Sequence, residues 1–292
     1  MFRLVITLAC GLSLLSTSQL PAQSFPLRPQ YYKLYQADSL AQLEQYAEAL
    51  VVYEMVFPEI PYVHTRILTR ALQTAELAKD RTLIKKYRAQ IKAQNDCPEG
   101  NQHLVHQIDS IFKWDQEVRT NKYWKAITYY RNHQQDSAVH ATARFQKAQS
   151  LHDFSKEVDS LNILHLLNLM DTYGFLSEEM VGYAHFHKVD AMLLHFDADT
   201  NNQVLQPILD LALERGEILP HFYSRILDRH LYNTQGIQKY WTWFKVGEDP
   251  QLSQDEIERI LKMREEIGLF GTTYWVDRFR DDINLSLGHL FY

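Results

Sequence analysis

A chain of 292 residues that is 46% hydrophobic, with 30 basic against 36 acidic side chains and a formal net charge of −6, has the apolar content for a sizeable core. That charge disfavours nucleic acid as a partner. Its two cysteines, Cys10 and Cys97, exclude a disulfide scaffold, and 10 glycines and 9 prolines leave few breaks in what reads as helix after helix.

Met1 and Arg3 precede an apolar run from Leu4 to Leu15, followed by Leu20-Pro21-Ala22-Gln23. A charged start, an apolar middle and a small-residue exit describe a secretory signal peptide over residues 1–22, and the run is shorter than the roughly 20 residues that span a bilayer. Cleavage after Ala22 is expected. Lipidation at Cys10 would require the apolar run to end there, and it continues. Cleavage removes Arg3 and no acidic residue, so the charge becomes −7 and Cys97 is left alone. Past the signal no stretch is long and apolar enough to span a membrane, so an exported protein, periplasmic or extracellular, is expected.

Residues 30–97 carry an internal period of 34: Ala37 returns as Ala71, Ala41 as Ala75, Leu50 as Ile84, and Tyr53 as Tyr87. This is the spacing of tetratricopeptide repeats, in which small residues let antiparallel helices approach and a tyrosine fills the gap to the next pair. Four antiparallel helices are predicted over 31–94. Asp96, Pro98 and Gly100 mark the best boundary. Residues 98–152 read as connecting helices, 102–118 and 122 to about 152, with a break near His133 where six polar residues follow one another.

Residues 153–292 form the remaining unit. Val158 to Met170 is apolar around most of a helix circumference and ends at Tyr173-Gly174-Phe175. Ser177 caps a helix running from Glu178 toward His195, another ends at Gly216 with Pro207 in its first turn or bending it, and a third runs from Pro220 to about Tyr232. Ser253 and Glu256 form a capping box for a helix through Ile267, and a last short helix follows Gly271. The fold class is therefore all-α: tetratricopeptide-like hairpins followed by an irregular helical bundle.

Tyr173-Gly174-Phe175, Val181-Gly182, His195-Phe196-Asp197, Asp228-Arg229 and Gln238-Lys239-Tyr240 together resemble the signature of a family of uncharacterised, Bacteroidetes-type secreted proteins with a helical domain of unknown function. The resemblance covers about Leu151 to Trp243. Where the family pattern closes with Gly-Thr-Gln after the tyrosine, this chain has Trp241-Thr242-Trp243. No activity is implied by the family.

No phosphate loop, nucleophile elbow, dinucleotide fingerprint, CxxC or HExxH is present, so neither a cofactor nor a metal is implied. His185 and His187 point opposite ways on a helix, whereas His187 and Asp190 share a face. Candidate ligand-binding residues are His195, Asp197, Asp228, Arg229 and Tyr240, with His195 or Asp197 expected to reach Asp228 or Arg229 between two neighbouring helices. The aromatic run from Tyr240 to Phe244 either lines a groove or plugs a seam. Two readings stand: a helical interaction protein with a peptide or protein partner, or a hydrolase-like or small-ligand enzyme with a His/Asp/Arg pocket in the 180–240 region.

Overall fold

The structure is a computed structural model, described over residues 25–96, 98–196, 204–243 and 252–270. The predicted signal segment, Cys97, Asp197, Phe244 and the helix expected after Gly271 lie outside the described residues. Within them the fold is all-α, with no strand. The helices are α1 (Arg28–Gln42), α2 (Tyr46–Val56), α3 (Thr65–Ala78), α4 (Arg81–Asn95), α5 (Gln102–Glu117) and α6 (Asn121–His133). They continue as α7 (Ala143–Tyr173), α8 (Glu178–Val181), α9 (Tyr183–Leu193), α10 (Leu205–Glu214), α11 (Pro220–Gln235) and α12 (Gln254–Glu266). Among the described residues, no helix is long and apolar enough to cross a membrane.

Helices α1 to α4 pack consecutively, each on the next. Ala37, Ala49, Ala71 and Ala75 are completely buried, and only a methyl side chain permits backbones to approach at those points. Tyr53 and Tyr87 are also buried, and burial obliges each hydroxyl to find an acceptor. Tyr53 of α2 donates to Asp38 of α1, and Tyr87 of α4 donates to Glu54 of α2 at 2.8 Å, so the first ties adjacent helices and the second reaches past α3 to the helix before it. Asp80 starts α4 by accepting from the amides of Thr82 and Leu83, both at 3.0 Å.

The break expected near His133 is present, because α6 ends there. Beyond it, α7 is one unbroken helix of 31 residues, and the boundary read between 152 and 153 falls inside it. Its first half buries only a narrow stripe, Phe145, Ala148, Ser155 and Val158.

One helix was expected from Glu178 toward His195; the structure has two. Gly182, at φ +78°, breaks the chain into the single turn of α8 and then α9. Pro207 sits in the first turn of α10, where its missing N–H costs no helical bond. The Ser253–Glu256 capping box opens α12. A single hydrophobic core joins α1 to α5 with α7, α9, α10 and α11. Gly216, at φ +73°, lets the turn after α10 press against the first hairpin, since a Cβ there would lie 2.8 Å from a Leu27 methyl and 3.6 Å from the Pro61 ring.

Candidate functional site

His195 lies in the turn after α9, and its Nδ1 is 3.1 Å from Asp115 Oδ1 of α5. Just past the end of α5, Arg119 reaches Asp115 at 3.0 Å and Asp159 of α7 at 2.6 Å. Burial pushes the Asp159 carboxyl up, and Arg119 pulls against that shift. Asp115, Asp159 and His195 each offer a ligand atom within 4.8 Å of the others. The guanidinium of Arg119 already stands against both carboxylates and supplies the cation that the cluster calls for. The arrangement is a tie between α5, α7 and the end of α9.

Asp228 of α11 spends both carboxylate oxygens on the closing segment. Oδ1 accepts from the amides of Lys239 at 2.7 Å and Tyr240 at 2.9 Å; Oδ2 accepts from the amide and hydroxyl of Thr242, each at 2.7 Å. Burial raises this carboxyl, with the four hydrogen bonds opposing the shift. Tyr240 is buried beside Tyr223, at 6.0 Å between ring centroids, and its carbonyl accepts from Arg264 of α12 at 2.8 Å. Arg229 places its guanidinium 5.0 Å from the centre of the Trp243 ring. Tyr240 therefore fills a seam, and Trp243 packs on Arg229.

Of the contacts expected between His195 or Asp197 and Asp228 or Arg229, the one between His195 and Asp228 is not formed, since each has its own partners, and Asp197 lies outside the described residues. Helices α9 and α11 do pack together, but through residues outside the candidate set. Asp190 of α9 pairs with Arg225 of α11, and His230 Nδ1 lies 2.6 Å from the Phe196 carbonyl.

A second concentration of ionisable groups surrounds that Asp190–Arg225 pair. His64, just before α3, has Nδ1 3.3 Å from Glu178 and Nε2 3.0 Å from the Gly216 carbonyl. Glu178 also accepts from the Thr65 amide at 2.7 Å. Burial alone would raise the Glu178 carboxyl, but His64 and Thr65 more than reverse this and hold it below the usual glutamate range. The lock fixes the start of α3 against α8 and the turn after α10. It thereby sets Arg66, the second residue of α3, beside α11.

Arg66 is half-buried with its guanidinium 5.9 Å from the centre of the Phe222 ring; Arg225 lies 5.5 Å from the same ring. Arg70 pairs with Asp38, and Arg225 with Asp190. Arg66 makes no hydrogen bond or ion pair among the described residues. Burial, then the neighbouring Arg70 and Arg225, lowers its guanidinium to about 10. Burial also depresses the imidazoles of His187 and His221, and the arginines push both further down, so both are neutral near pH 7. Asp190 is raised by burial to about 6 despite the pull of Arg225 and Arg66. Three buried polar atoms here lack a hydrogen-bond partner: Asp190 Oδ1, Arg225 Nε and His221 Nε2.

Sequence reasoning placed His187 and Asp190 on one face but did not reach Arg66, His221 or Arg225. The available signal was a charged residue set inside an apolar run, as Asp190 is between Val189 and Met192, and Arg225 between Tyr223 and Ile226. Compared with known proteins, the chain matches no family model, no curated protein and no solved structure.

Proposed function

We propose that the protein is an exported helical interaction protein that binds a peptide or protein partner through the surface where α3 meets α9 and α11. The supporting observation is that Arg66, near the start of α3, and Arg225 of α11 both stand over the Phe222 ring, next to His221. Arg66, Arg225 and His221 are half-buried there over the buried Phe222 ring, and arginine is among the residues that carry binding energy in recognition surfaces. The tetratricopeptide-like reading of α1 to α4 draws support from the equivalent tyrosines Tyr53 and Tyr87 and from the buried alanines between helices. Membership of the Bacteroidetes-type secreted family is a proposal of the same standing. It is consistent with Gly174 and Gly182 both at positive φ and with Asp228 organising the closing segment.

The enzyme alternative draws less support. Both oxygens of Asp228 are occupied by four donors, and His195 is engaged by Asp115, which leaves neither poised as a base. The test is selection of peptides from a displayed random library on the purified protein lacking residues 1–22, together with N-terminal sequencing of exported material. Saturable binding of a recurrent peptide class and a first residue of Gln23 are expected. Turnover of hydrolase substrates with no peptide selected would overturn the reading.

A further inference from the structure

We propose that the junction of α3, α9 and α11 is a carboxylate-binding site, in which Arg66 pairs with one carboxylate of a peptide partner; this rests on the interaction reading above.

The charge inventory carries the argument. Three arginines stand close together, and two of them are matched: Arg70 by Asp38, and Arg225 by Asp190. Arg66 is surplus. His187 and His221, the titratable groups facing it from α9 and α11, are neutral near pH 7, and the carboxylate of Glu178 is committed to His64 and Thr65. Tyr183, the remaining titratable neighbour, has its phenol raised by burial and so carries no charge. Among the described residues Arg66 is thus the one of these three guanidiniums that no carboxylate pairs, in aromatic surroundings that strengthen electrostatic interactions.

Geometry selects the kind of anion. One planar guanidinium presents two parallel N–H groups, which match the two oxygens of a carboxylate. A phosphate dianion would need a second uncommitted cation, and Arg225 is already held by Asp190. On α9 and α11, Asp190 Oδ1, Arg225 Nε and His221 Nε2 retain unused hydrogen-bonding capacity in buried positions. Such groups are costly unless something entering the junction, a ligand group or the water it carries, completes them.

The experiment follows the arginine Nε–H resonances of the protein lacking residues 1–22 by NMR. The probes are three blocked tripeptides: acetyl-Ala-Asp-Ala-amide, acetyl-Ala-Ala-Ala with a free C-terminal carboxylate, and acetyl-Ala-Ala-Ala-amide. Saturable shifts of the Arg66 and Arg225 resonances with a carboxylate probe and none with the neutral amide are expected, and the stronger of the first two identifies a side-chain or a C-terminal source. Arg66→Gln should weaken binding at least about tenfold, the cost of roughly one charge-assisted pair, while leaving the melting temperature unchanged. Arg66→Lys should recover only part of it, because a lysine lacks the fork. Equal shifts with the neutral probe, or unchanged binding by Arg66→Gln, overturn the site. Library-selected peptides that still bind Arg66→Gln overturn it too, while leaving the interaction reading standing. Inorganic phosphate or acetate binding as well as the peptides would reduce the site to an adventitious ion only.

Discussion

Glu178 and His64 face each other at 3.3 Å with side chains wholly excluded from solvent, although 114 residues separate them. Removing one member of such a buried pair leaves the other's polar atom unsatisfied, at about 1–3 kcal/mol. Glu178→Ala also strips the Thr65 amide of its acceptor. A urea-denaturation midpoint lowered by an amount in that range is expected, and an unchanged midpoint would show that the lock contributes nothing.

The same carboxyl gives an acid-side signature. Its folded pKa lies below the unfolded value, so its stabilisation is complete above the unfolded pKa and is lost as pH falls through the folded one. Stability measured from about pH 6 down to about pH 3 should fall more steeply for the native protein than for Glu178→Gln.

Asp190 acts in the opposite sense. Burial raises it from 3.8 to about 6, so the folded state binds this proton more tightly than the unfolded chain. Its contribution is greatest below the unfolded pKa, declines as pH rises between about 4 and 6, and is flat above that. His221, whose pKa is depressed, loses stability as pH falls below the usual histidine range, so only the difference between native protein and Asp190→Asn isolates the aspartate. That difference should slope across pH 4 to 6, and parallel curves would refute the assignment.

Asp228→Ala leaves the amides of Lys239, Tyr240 and Thr242 and the Thr242 hydroxyl without their acceptor. Each unsatisfied buried group costs about 1–3 kcal/mol, though those that reach water cost less. Limited proteolysis should open first within 238–243, ahead of α11 itself; an unaltered cleavage pattern would argue that the loop is held by other contacts.

Ala49→Leu pushes three more carbons into a site with no exposure, where overpacking costs about 1–3 kcal/mol. A thermal midpoint equal to that of the native protein would count against the close helix contact at Ala49.

How far these features were readable depended on the range of the interaction that creates them. The end of α6 was visible because residues 131–136 are polar in a row, and the start of α12 because Ser253 and Glu256 satisfy each other within one turn. The continuity of α7 was missed because a hairpin partner hides only a thin stripe of its first half, which leaves a weak local pattern. At the site, Asp228 was singled out, but its partners lie 11 to 14 residues away in a loop with no periodicity to announce it. Arg66 meets Phe222 only because His64 and Glu178 bring α3 to the turn after α10, and spacing along the chain carries no trace of that encounter.

The uninterrupted run of α7 has a consequence for how the molecule tolerates change in length. At about 1.5 Å per residue its 31 residues extend roughly 46 Å. Phe145 meets Tyr130 of α6 near one end, while Asp159 reaches Arg119 in the turn after α5 and Leu166 and Met170 enter the core nearer the other. Both ends are thus phased by the same screw. One residue inserted near Lys156 would turn one end about 100° against the other and swing either the α6 stripe or the core stripe out of register, whereas seven residues would restore the phase to within about 20°. Length variation in this helix is accordingly quantised: whole heptads shift the α6 hairpin outward along the axis, and smaller changes misalign it.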